Sequence, residues 1–135
     1  MKLRHALLTL GVVAITAGQS ASKAVVTNLD TANWTHDKES DSVLLHTDPA
    51  TGGMELLVRF PAGHVIAPHW HESNERIIVL EGQLTLKQDD GYKIVKTGGL
   101  AYLPEKEVQR LSCSSISRCT FYLAWDGKPQ SHAAK

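Results

Sequence analysis

Two histidines one residue apart, His69 and His71, are followed four residues later by Glu75. Side chains alternate across an extended strand, so His69 and His71 share a face and Trp70 takes the other. Their backbones would lie about 7 Å apart, close enough for both imidazoles to meet one ion. The polar run Glu72-Ser73-Asn74 can turn the chain and start the next strand at Glu75, whose carboxylate then reaches the same point from a neighbouring strand. Two imidazoles and one carboxylate with open positions make the facial arrangement of non-haem iron sites. A bare His-X-His pair in a strand is more often packing or surface. The added glutamate and the flanking Gly63 and Gly82 are what point here to a metal.

Positioning such a set requires strands, and the pattern supplies them. Met54, Leu56, Val58 and Phe60 alternate with Glu55, Leu57 and Arg59. Further strands are predicted over 42–45, 76–80, 83–87, 92–96, 100–103, 108–113 and 120–125. Turn signals separate them: Asp48-Pro49, Gly52-Gly53, Pro61-Ala62-Gly63, Glu81-Gly82, Asp90-Gly91 and Gly98-Gly99. No segment after the first 24 residues sustains a helical apolar period. Many short strands in one small domain predict an all-β sandwich or barrel. The predicted barrel spans 42–125, after an arm over 25–41 and before a polar, flexible tail over 126–135.

The spacing around the histidines resembles the first motif of the cupin superfamily. It runs Gly63, five residues, His69-Trp70-His71, three residues, Glu75, six residues, Gly82. The second cupin motif is only partly matched. Gly98 and Pro104 fit, but Lys106 stands at the later glycine position and Gln109 at the histidine position. The resemblance implies a single-domain jelly-roll β-barrel with a divalent metal inside, held by His69, His71, Glu75 and the residue at position 109. Glutamine is a neutral oxygen donor, which tilts the expected metal towards Fe or Mn, with Zn, Ni and Cu still open. Three readings of Gln109 stay open: a ligand, a bystander beside a water or substrate position, or the mark of a site that has lost its metal. Lys106 implies that the turn after Pro104 no longer needs a positive φ, or has shifted. The resemblance also implies pairing as a homodimer, although the sequence shows no interface.

The chain has 135 residues, one domain's worth. Residues 1–24 read as a signal peptide: Lys2 and Arg4, an apolar run to about Ala17, then Ser22 and Ala24 before a cut. A cut at Ala21 and an uncleaved anchor are the alternatives, the latter disfavoured because the run is shorter than a membrane span of roughly 20 residues. Cleavage after Ala24 removes Lys2, Arg4 and Lys23 and no acid, so 14 basic and 14 acidic residues become 11 and 14. The acidic balance offers nucleic acid nothing to hold, and the mature chain keeps no membrane segment. Export to the periplasm or beyond favours a disulfide between Cys113 and Cys119, facing each other across a hairpin; two buried thiols are the alternative.

Arg59 is expected as a solvated surface residue, with an anchor for a substrate carboxylate as the alternative. Tyr102 reads as a wall aromatic or a donor behind the ligands, Trp70 as packing between sheets or at an interface, and His36, His46 and His64 as ordinary polar residues. The expected function is a metal-dependent enzyme on a small organic molecule, of oxygenase, isomerase or lyase type. The alternative is a module that binds or senses a metal or small ligand without turnover.

Overall fold

The computed structural model describes residues 23–135. The expected signal segment lies outside them, apart from Lys23 and Ala24. Eleven strands follow: β1 Thr35–His36, β2 Asp41–Thr47, β3 Met54–Phe60, β4 Val65–His71, β5 Glu75–Glu81, β6 Gln83–Gln88, β7 Gly91–Lys96, β8 Leu100–Leu103, β9 Gln109–Cys113, β10 Cys119–Trp125 and β11 Ser131–Ala133. Among the described residues no helix is long and apolar enough to cross a membrane.

The strands form two antiparallel sheets, ordered β1-β2-β3-β10-β5-β8 and β11-β4-β9-β6-β7. Both contribute to one apolar core. In the first sheet Phe121 on β10 is flanked in register by Val58 on β3 and Val79 on β5. In the second, Leu84 on β6 lies between Val95 and Cys113, and Leu86 faces Leu111. Phe121, Val79 and Leu84 are fully enclosed; burying side chains of this kind stabilises by about 1.5–3 kcal/mol each. The predicted all-β jelly roll is therefore present, as two facing sheets that do not hydrogen-bond into a closed ring.

Alternation explains why β5 serves both core and site. Glu75, Ile77 and Val79 point inward, while Arg76 points out. Gly82 then carries the chain from β5 to β6 in the other sheet at φ 76°. A Cβ there would stand 2.4 Å from the Arg118 carbonyl oxygen, so no other residue fits without moving backbone.

Both ends carry short strands. Within the arm, β1 pairs with β2 as a hairpin, with His36 opposite Asp41. Residues 126–135, expected as a flexible tail, carry β11, which pairs with β4 through Ser131–His71, His132–Trp70 and Ala133–His69. Trp70 stacks on His132 with ring centroids 4.1 Å apart, which explains how so short and polar a strand is held. Cys113 and Cys119 form the expected disulfide between the ends of β9 and β10.

Candidate functional site

Strand β4 does not alternate cleanly, and the interruption aims its histidines. Ile66 pairs with Leu111 and His69 with Gln109, so between these pairs two residues on β4 oppose one on β9. This bulge holds Ala67 and Pro68. Proline lacks the N–H a regular ladder would require, which suits it to such a position. The Ala67 carbonyl, freed from the ladder, accepts a hydrogen bond from His69 Nδ1 at 2.8 Å. In the neutral ring the lone pair then sits on Nε2.

Glu75 arrives from the opposite wall. Local spacing predicts its strand beside that of the histidines, but β4 and β5, consecutive in the chain, belong to different sheets. The connection Glu72-Ser73-Asn74 crosses between them. It is pinned by Ser73 Oγ to the Gly127 and Lys128 carbonyls and by Asn74 to Asp126.

Gln109 comes from β9, beside β4. The turn before it contains Lys106 at φ 62°, the one non-glycine residue with positive φ among those described. The expectation that the turn had lost its need for positive φ, or had shifted, is thus corrected. Lysine adopts the glycine conformation, and its N–H donates to the His71 carbonyl at 2.8 Å. That tie fixes the register and turns Gln109 inward.

These elements bring His71, Glu75 and Gln109 together, all buried. Gln109 Nε2 donates to Glu75 Oε2 at 2.8 Å, and the same oxygen lies 3.2 Å from His71 Nε2. His69, nearer the surface, stands edge-on to His71 with ring centroids 5.0 Å apart. Burial pushes the Glu75 carboxyl up to about 7, against the opposing pull of Gln109 and the nearby Trp125 indole. The indole N–H faces that carboxyl without meeting hydrogen-bond geometry. Burial also holds His71 below the usual imidazole range, reinforced by His69. Both shifts favour neutral forms, which weakens the 3.2 Å contact of His71 Nε2 with Glu75 Oε2 as an ion pair. Buried Gln109 Oε1 has no partner, nor does His71 Nδ1.

The donor types suit a divalent ion: two imidazoles, a carboxylate and an amide oxygen without a partner. As arranged, however, no group of three or more His, Cys, Asp or Glu among the described residues is placed to hold a metal. Glu75 is engaged by the Gln109 hydrogen bond and the His71 contact, and coordination would exchange both for bonds to the ion.

The cluster borders a cavity of about 610 Å³ between the sheets, within the range of small-molecule sites. Its walls include Phe60, Phe121, Leu111 and Trp125. Sequence reasoning missed its rim, formed by Glu39 and Ser40 from the β1–β2 hairpin and by Ser131 and Ala133 from β11. These residues carry no spacing or composition signal. Of the other predicted candidates, Arg59 is half-buried and not at the cavity: its guanidinium stacks 3.9 Å from the Trp34 ring and Nε donates to Thr120 Oγ1. Tyr102 is exposed, beneath Arg76, and so stands away from the cluster. His64 packs on Phe60. Cys113, bonded to Cys119, offers no free thiol.

Solved structures with this fold include an uncharacterised conserved protein with a double-stranded β-helix domain from Klebsiella pneumoniae, with TM-score 0.69 and 15% identity over 86% of this chain and 96% of that one. The polyketide cyclase RemF from Streptomyces resistomycificus gives TM-score 0.67 and 19% identity over 84% and 87%. The complex of Rhodobacter sphaeroides SigE with the anti-sigma ChrR gives TM-score 0.60 and 19% identity, over 73% of this chain and 51% of that one. At such identities the likeness is one of fold. No curated protein sequence matches the chain. The family model described as ChrR Cupin-like domain matches residues 22–126. A match of that extent, on a fold shared with cupin structures, makes the chain a member of the ChrR cupin-like family of the cupin superfamily.

Proposed function

We propose that this chain is an exported, metal-dependent cupin acting on a small organic molecule, with His69, His71, Glu75 and Gln109 around a divalent ion, Fe or Mn by preference. The observation that carries the proposal is the meeting of buried His71, Glu75 and Gln109, from three strands in two sheets, at a 610 Å³ cavity. Gln109 Oε1 is left unpartnered there. An unpartnered buried acceptor costs about 1–3 kcal/mol, which a cation or a ligand's donor group would relieve.

Bound there, the ion would supply Lewis-acid polarisation of a substrate oxygen, or a point where substrate and dioxygen meet. The chain's own part is to hold His69 in one tautomer through Ala67, to present Glu75 and Gln109 from opposite sheets, and to wall the site with apolar side chains. Oxygenase, isomerase and lyase chemistries are all compatible with such a site. RemF, a cyclase on this fold, supports an enzyme by analogy. Support for export comes from the leader-like residues 1–24 and from the Cys113–Cys119 disulfide, which suits an oxidising compartment.

A second reading, a module that binds or senses a ligand without turnover, is favoured by the family's description and by the anti-sigma ChrR sharing the fold. Elemental analysis of natively exported protein beside a His69→Ala, His71→Ala double variant tests the metal. The wild type should carry about one ion per chain and the variant almost none; equal content in both would overturn the proposal. Turnover in an oxygen-uptake and small-substrate panel would then favour the enzyme, and tight binding without turnover the module.

A further inference from the structure

The cavity's charge pattern narrows its ligand. Among the described residues that line it, the ionisable side chains apart from histidine are the carboxyls Glu39 and Glu75, with no lysine or arginine. Arg59, the cation that sequence reasoning offered for a substrate carboxylate, is turned to Trp34 instead. Outside the polar cluster the walls are apolar, and Phe60 and Phe121 meet edge to face with centroids 5.1 Å apart.

Glu39 is the lining carboxyl that is exposed to solvent. It lies in the loop between β1 and β2, exposed to solvent and on the cavity rim. That loop is held on both sides. Asp37 N–H donates to the Ser40 carbonyl at 2.9 Å, and the His36 ring meets Asp41 at 2.7 Å. The arm leading into it is anchored by the Trp34–Arg59 stack. A carboxylate carried by a tethered loop at the edge of an apolar cleft repels anions and acts little on uncharged molecules, and low-dielectric walls concentrate its field.

We infer that the cavity takes an uncharged, largely apolar molecule with one or more rings, and that Glu39 is the residue that rejects its anionic counterparts. Sugars carry hydroxyls that these walls would leave without partners, and sugar acids and phosphate esters find no lysine or arginine among the lining residues. The inference rests on this cavity being the ligand site but not on a metal being bound there.

The test uses the full mature chain, freed of metal by chelator, with 2-naphthol and 2-naphthoate as probes at neutral pH. They share a ring system and differ in charge. Binding is read by calorimetry and by the fluorescence of Trp125 on the cavity wall. Naphthol should bind at least about tenfold more tightly than naphthoate, as one like-charge contact at a partly screened rim implies. Glu39→Gln should narrow that ratio, and Glu39→Lys should narrow it further or invert it, both through naphthoate with little change for naphthol. Equal binding of the two probes by the wild type, a ratio unmoved by Glu39→Lys, or binding of neither probe would each overturn the inference. Because metal is absent throughout, a chain that proves metal-free yet keeps the ratio would overturn the metal proposal alone. A chain that carries metal but shows no preference would overturn this inference alone.

Discussion

Glu75 makes the metal-free chain's stability depend on pH in an unusual direction. A carboxyl raised from 4.5 to about 7 by burial keeps its proton in the folded state over a range where the unfolded chain has lost it. Its contribution is fully present below about 4.5 and is lost as pH rises through about 7. At about 1.4 kcal/mol per unit, the gap amounts to about 3 kcal/mol. Glu75→Gln keeps the shape and removes the titration. Urea unfolding of both proteins in chelator, at pH 5 and pH 8, isolates the effect, because exposed carboxylates such as Asp48 are common to both. His71, held low by burial, works the other way, gaining stability as pH rises through the imidazole range. It therefore softens the wild-type curve but does not abolish the difference. The wild type should lose most of about 3 kcal/mol relative to Glu75→Gln between the two pH values. Parallel pH curves for the two proteins, or a wild type that gains relative to the variant, would refute the reasoning. Adding a divalent ion should remove the loss at pH 8, because coordination takes the deprotonated carboxylate.

The remaining predictions concern the backbone that carries the site. Gly82→Ala should cost about 3 kcal/mol in urea unfolding, since strain at φ 76° adds to a Cβ pressed on the Arg118 carbonyl. Gly98→Ala, at φ 82° with nothing within 4 Å, should cost only about 1 kcal/mol; equal costs would contradict the packing described. Lys106→Gly should raise stability by about 1 kcal/mol by relieving the left-handed conformation of a lysine, and a loss of stability would show that the lysine side chain matters more than its backbone. Reducing Cys113–Cys119, whose partners are 6 residues apart, should lower stability by about 2 kcal/mol on loop-closure grounds. A reduced chain of unchanged stability would contradict that.

The strands visible in the sequence were those whose partners are apolar and whose ends are marked by turns. β3 alternates strictly over its last residues and β8 follows two glycines, so 54–60 and 100–103 were found at their observed limits. β1 and β11 were invisible because tertiary contacts form them: the Trp70–His132 stack is made by residues 62 positions apart, and neither strand has an apolar pattern of its own. The first half of β4 was hidden by Pro68, which signals a break in sequence but is accommodated at a bulge. The site fared similarly. His71, Glu75 and Gln109 could be read from local spacing, yet spacing gives no sheet membership, so the meeting of β4 and β5 across two sheets was misjudged. Glu39 lies in a polar loop like any other, and only the folding of the hairpin over the cavity gives it a role.

Anomalous diffraction from crystals grown with Mn²⁺, recorded on either side of the manganese edge, goes most directly to the central claim. One strong peak should lie within coordination distance of the His69 and His71 Nε2 atoms and the Glu75 carboxylate, with Gln109 released from its hydrogen bond to Glu75. A cavity without a peak, with His71, Glu75 and Gln109 still bonded to one another, would contradict it.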